Sequence, residues 1–214
     1  MMLIDYQYFG PICFIELIYK QKQLCFDKEA SFTKMSFKNR MVILSAHGPL
    51  NLTIPILGGR EQKTAIKDIQ IAYDAPWQAQ HFKAIKTCYK KAPYFEYYEA
   101  EIEKLYTRKK VYLVDFLEDC HQFVKKSIKG KWELIDGKET IKEVKKVSVE
   151  IEVNSKQKTI LPWQPNNYDQ FGIQHPYRQV FESDKGFISN LCILDWLFCE
   201  GGKEISKQLS EPST

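Results

Sequence analysis

The sequence predicts a single-domain α+β fold. An N-terminal mixed or antiparallel sheet is covered by helices from the middle of the chain and by one buried C-terminal helix. Three observations carry this. Strand-forming apolar runs crowd the first third, amphipathic stripes fill the middle, and residues 189–202, SNLCILDWLFCEGG, read as a helix apolar on nearly every side. Strands followed by helices, rather than alternating with them, argue against regular βαβ winding.

In chain order, residues 12–19 (ICFIELIY) are Ile-rich and apolar, and residues 24–26 (LCF) continue the pattern. Residues 41–45 and 50–57 are β-rich runs separated by AHGP, a turn signal. The second run alternates, with Leu50, Leu52, Ile54 and Ile56 on one face. Residues 66–71 (IKDIQI) read as a further short strand. Pro76 suits the first turn of a helix, with Asp74 as its cap. Trp77, His81, Ile85 and Cys88 then fall on one helical face. Pro93 opens a second helix, and a third runs from about Val111 to Ile128 on the stripe Leu113, Leu117, Cys120, Val124 and Ile128.

Residues 147–153 (VSVEIEV) alternate cleanly as a strand, and residues 161–176, rich in Pro and Asn, read as a long loop. Ser189 or Asn190 is the N-cap expected for the last helix, and Gly201 and Gly202 its stop. The domain is placed at residues 1–205, with residues 206–214 as a disordered tail.

The net charge of +4, from 31 basic and 27 acidic residues, is too mild for a nucleic-acid-binding stripe. The six cysteines form no CxxC pair, no basic leader precedes an apolar stretch, and no segment approaches a membrane span. Free thiols and a cytoplasmic location follow as expectations. Four histidines show no metal-ligand spacing, so no metal is assigned, and no motif names a cofactor.

Two polar residues on apolar faces stand out. His81 is either a hydrogen-bonded core histidine or a proton-transfer group. Asp195 shares a face with Leu191, Leu194 and Phe198. Burial of an unpaired carboxylate costs several kcal/mol, so a partner is required. Arg40 and Arg178 are the candidates, because a guanidinium binds a carboxylate with two parallel hydrogen bonds. The pair either braces the core or sits at the base of a pocket.

Several stretches agree in order with one family: residues 33–57 (TKMSFKNRMVIL with LTIPIL), 64–71, 76–98 (PWQAQHFKAIKTCYKKAPYFEYY), 175–181 (HPYRQVF) and 186–201 (GFISNLCILDWLFCEG). On these the chain resembles the WbqC-like protein family of bacteria. It departs from the family's usual QPxYxPW opening, and it carries Cys192 and Cys199 where Ser and Asn are usual, which argues against either thiol as a nucleophile.

The resemblance implies work on O-antigen and other surface polysaccharides and on amino-sugars. One expectation is acyl or aminoacyl transfer to an amino-sugar, with a small-molecule substrate such as a nucleotide-sugar; the other is a non-catalytic binding or assembly module. The polar residues retained in the matching blocks are Asn39, Arg40, His81, Tyr177, Gln179, Asn190, Asp195 and Glu200, with Arg178 beside them. In the enzyme reading His81 moves the proton, Asp195 orients it or an Arg, Arg40 holds an anion, and Asn39 and Gln179 fix substrate hydroxyls. Arg178, Tyr177, Asn190 and Glu200 complete the substrate side.

Overall fold

The structure is a computed structural model that describes residues 2–33, 36–58, 64–135, 149–153, 156–160, 175–182 and 186–211. Among these the architecture is α+β. Strands β1 (Met2–Ile4), β2 (Gln23–Phe26) and β5 (Glu133–Ile135) form a parallel sheet in the order β1-β2-β5. Leu3 pairs with Cys25 and Leu24 with Leu134. Strands β3 (Arg40–Ser45) and β4 (Gly48–Thr53) form an antiparallel hairpin, closed where Ser45 faces Gly48. Gly48 has φ 113, a backbone angle that favours glycine at this turn. Strands β6 (Val149–Val153) and β7 (Lys156–Ile160) form a second hairpin, β6 lying within the strand expected at 147–153.

Residues 12–19 correct the sequence reading: they form helix α1 (Ile12–Tyr19), not a strand. Parallel β1 and β2 need a crossover, and α1 supplies it, so the chain opens with the βαβ unit that the element order argued against. Ile12, Cys13, Phe14, Ile15, Glu16 and Ile18 are all buried. A helix buried on every side shows no polar face, so its sequence carries no 3.6-residue period.

Residues 66–71 also differ. They make a 3₁₀ turn (Ile66–Asp68) and two single bridges, Ile56 to Ile71 and Gln70 to Tyr112.

Helices α2 (Trp77–Tyr89), α3 (Phe95–Thr107) and α4 (Leu113–Ser127) lie where the stripes placed them. Pro76 stands just before α2 rather than inside its first turn, and no side chain caps that end. Trp77, His81, Ile85 and Cys88 all face the core.

Helix α5 (Ile193–Ser210) runs past the stop expected at Gly201 and past the expected start of the tail at 206. The glycines make a kink instead: Gly201 has φ 77 and ψ 154, outside helical geometry. A Cβ on Gly201 would meet the Tyr94 ring at 2.8 Å, and one on Gly202 would meet the Ser127 carbonyl oxygen at 1.9 Å. The ends of α3 and α4 thus press directly on this backbone. The freed Phe198 carbonyl accepts from the Tyr94 N–H at 2.9 Å, and the Gly202 N–H donates to the Tyr98 hydroxyl at 2.9 Å.

The first turn of α5 starts after Cys192, with no side-chain cap. Asn190, expected to cap it, has φ 56 and caps α1 instead, its Oδ1 accepting the Cys13 N–H at 3.2 Å. Most of the loop expected at 161–176 lies outside the described residues, as do Gly59 and Arg60. No helix among the described residues is long and apolar enough to cross a membrane.

Candidate functional site

Asp195 lies in the first turn of α5 and is fully buried. None of the expected partners, Arg40, Arg178 or His81, meets it. Two tyrosines do: the Tyr89 hydroxyl donates to Oδ1 at 2.6 Å and the Tyr177 hydroxyl to Oδ2 at 2.5 Å. Gln179 Nε2 approaches Oδ2 at 3.4 Å. Neutral hydroxyls satisfy the carboxylate without bringing a second charge into the core, which avoids a second desolvation cost. Burial pushes the Asp195 carboxyl up to about 6, opposed by the hydrogen bonds from Tyr177, Tyr89 and Gln179, which favour its charged form. Burial, and then the Asp195 charge, raises both tyrosines well above their ordinary value, so both stay donors.

The shell around this carboxylate is itself held. The Leu44 N–H of β3 donates to the Tyr89 hydroxyl at 2.9 Å. Gln179 Nε2 donates to the Ile188 carbonyl at 2.7 Å, and Gln179 Oε1 accepts the Ile188 N–H at 2.8 Å. Tyr177 stacks on Trp196 with ring centroids 5.7 Å apart.

Tyr177 and Gln179 also line a cavity of about 1140 Å³, with Lys91, Arg178, Glu182 and Glu200 on its walls. Both acids already accept hydrogen bonds from neutral donors: Glu182 from the Gln179 N–H at 3.1 Å, and Glu200 Oε2 from Trp196 Nε1 and Gln208 Nε2, each at 3.0 Å. Neither Lys91 nor Arg178 has an ion pair among the described residues. The wall thus carries two cations and two carboxylates, and its cations are without an ion pair among the described residues.

The other expected residues gather elsewhere. His81 is 6% exposed and is not on the wall of that cavity. Its Nδ1 lies 3.0 Å from the Tyr8 hydroxyl, which is hydrogen-bonded in turn to the Tyr106 hydroxyl. Burial lowers His81 to about 4, against a backbone hydrogen bond to Thr53 that favours the protonated form, so the ring is neutral at pH 7. Arg40 faces Thr53 in the hairpin register, and its Nε is buried without a hydrogen-bond partner among the described residues. Asn39 Nδ2 donates to the Ile54 carbonyl at 2.9 Å. His81 and Tyr89 share one stripe of α2 eight residues apart, about 12 Å along the axis, which keeps the two groups separate.

The structure thus brings together Tyr177, Arg178, Gln179, Asp195 and Glu200, and sets Asn39, Arg40 and His81 apart from them. Asn190 serves the α1 cap. Sequence reasoning missed Tyr89 and Lys91. The signal for Tyr89 was its place beside Cys88 on the buried stripe of α2; nothing marked Lys91. Cys192 is fully enclosed and its thiol is pushed up to about 12 by burial, and burial raises Cys199 further, so neither is a thiolate at pH 7. Among the described residues no three His, Cys, Asp or Glu side chains are grouped to hold a metal ion.

The model of the WbqC-like protein family matches residues 7–161, and the chain belongs to that family. The matched span contains Asn39, Arg40, His81 and Tyr89 and ends before Tyr177. No curated protein and no solved structure matches the chain.

Proposed function

We propose that this chain is an enzyme of bacterial surface-polysaccharide biosynthesis. It binds an anionic amino-sugar derivative, a nucleotide-sugar, in the cavity beside Tyr177 and transfers an acyl or aminoacyl group to its amine. One observation carries the assignment: the cavity of about 1140 Å³ has on its wall two cations without an ion pair among the described residues, and a buried carboxylate directly behind it. Lys91 and Arg178 suit a diphosphate, taking the anion-holding role expected of Arg40.

With an acyl thioester as donor, the amine nitrogen bonds to the acyl carbon and the bond from that carbon to sulfur breaks, its electron pair leaving on sulfur. The proton lost by nitrogen passes to the Tyr177 hydroxyl oxygen as Tyr177 gives its own to Asp195 Oδ2. A carboxyl at about 6 is poised for that exchange near neutral pH. His81 makes no contact with the substrate under this assignment.

Calorimetric titration with UDP-glucosamine, and thiol release from acetyl-coenzyme A, test it. Arg178→Ala weakens UDP-glucosamine binding by about tenfold. Tyr177→Phe keeps binding and lowers thiol release by about a hundredfold or more. A wild-type protein that neither binds nor releases thiol overturns the proposal.

A second reading, a non-catalytic binding or assembly module, draws on the fact that Asp195's hydrogen bonds all come from the fold itself. Binding with no thiol release would favour it.

A further inference from the structure

A second cavity, of about 560 Å³, adjoins the first. The two share Glu200, and their walls continue from Pro93 to Tyr94 and from Glu200 to Gly201. Their chemistry differs. In the second, Lys126 pairs with Glu101 at 2.6 Å, and three acids face three lysines around it, so no sign of charge prevails. Its other feature is aromatic. Tyr97 is 79% exposed and Tyr94 45%, a large aromatic area to leave in water.

The exposed ring of Tyr97 is buttressed on one side. Tyr97 stands edge-on to Tyr98 at 4.8 Å and 83°, and Tyr98 is tied by its hydroxyl to the Gly202 N–H at the kink of α5. Beside it Tyr94 and Ser127 close over the buried Gly201 and Gly202 backbone, leaving no room there for a side chain. An exposed aromatic face ringed by balanced carboxylates and amines matches a pyranose. Its C–H face stacks on the ring while its hydroxyls meet polar groups of either sign.

Glu200 joins the two spaces. Its Oε2 is anchored by Trp196 and Gln208, while its Oε1 has no hydrogen bond from the described residues.

Resting on the function proposed above, we infer that the ligand spans both cavities: the diphosphate end lies against Lys91 and Arg178, and the sugar ring passes Glu200 and stacks on Tyr97. Tyr97 is then a specificity-determining residue, and Glu200 Oε1 is the acceptor for a hydroxyl or ammonium of the sugar.

The test compares UDP with UDP-glucosamine by calorimetry on the full chain. Tyr97→Ala weakens UDP-glucosamine by about tenfold and leaves UDP unchanged. Tyr97→Phe, which keeps the ring face, binds both like wild type. Glu200→Gln weakens UDP-glucosamine and spares UDP. Because Tyr97 is exposed, its loss does not threaten folding. Equal effects of Tyr97→Ala on both probes, or none on either, overturn the inference while binding of UDP through Arg178 leaves the functional assignment standing. If wild type binds neither probe, both fall.

Discussion

Two buried clusters of this molecule are built from the same parts and differ in consequence. At one end of α2, His81 meets Tyr8, which meets Tyr106. At the other, Tyr89 meets Asp195, which meets Tyr177. Each has one titratable group among tyrosine hydroxyls, and burial drives each toward its neutral form: His81 down to about 4 and Asp195 up to about 6. The first lies in an aromatic nest of Trp77, Tyr106 and Phe116, of which Trp77 and Tyr106 also line a separate cavity of about 520 Å³. The second has Tyr177 as a shared wall with a cavity. Burial and a shifted pKa therefore do not by themselves mark a site; Asp195 is one hydrogen bond from a cavity wall through Tyr177, whereas His81 is linked to one by hydrogen bonds only through Tyr8 and then Tyr106.

The comparison can be broken most directly at Asp195. Asp195→Ala leaves two buried tyrosine hydroxyls without an acceptor and costs about 4 kcal/mol in urea unfolding. A cost no greater than that of a His81 substitution would make the two clusters equivalent braces.

Next in size is the dependence on pH, where the clusters have opposite signs. Between the ordinary carboxyl value of 3.8 and about 6, folded Asp195 holds a proton that the unfolded chain has lost. Its contribution to stability is complete below pH 4 and is lost as pH rises through 6, a change on the order of 3 kcal/mol. His81 does the reverse. Between about 4 and 6.5 the unfolded chain binds a proton that the folded chain refuses, so stability rises with pH by a similar amount. His121, lowered to about 4 by burial and then by Lys125, adds to the rise. Wild-type stability should therefore climb from pH 4.5 to 6.5. Asp195→Asn should steepen that climb and His81→Phe flatten it, as read from urea midpoints at three pH values. The same slope in all three proteins would contradict both assignments.

The smallest effect is His81→Phe at pH 7. It removes one partner each from Tyr8 and Thr53, costs about 1–2 kcal/mol, and leaves UDP-glucosamine binding as in wild type. Weakened binding in a folded His81→Phe protein would return His81 to the site.

The sequence made α2, α3 and α4 legible because each has a wet face and so a period. Helix α1 was illegible for the opposite reason: a segment buried all round alternates with nothing, and Ile-rich runs then read as strand. The glycine pair in α5 was read as a stop, because its role depends on Tyr94 and Ser127, residues distant in the chain. At the site, the need of Asp195 for a partner was visible and the partner was not. An arginine was expected for its charge, but a tyrosine hydroxyl supplies a hydrogen bond at lower cost to a dry core. Tyr89 is 106 residues away, a separation no local pattern spans.

The stitching of residues 10–13 to residues 190–193 sets a schedule for folding. The Ile12 N–H bonds to the Leu191 carbonyl, the Cys13 N–H to Asn190, and the Ile193 N–H returns to the Gly10 carbonyl. The crossover helix of the opening βαβ unit is thus docked and capped by chain made some 180 residues later, given synthesis at about 5–20 residues per second. That is roughly ten to forty seconds of waiting on the ribosome. Until residues 190–193 emerge, an almost wholly apolar α1 has no N-terminal dock, and nascent chains halted before that point are expected to hold it exposed to chaperones.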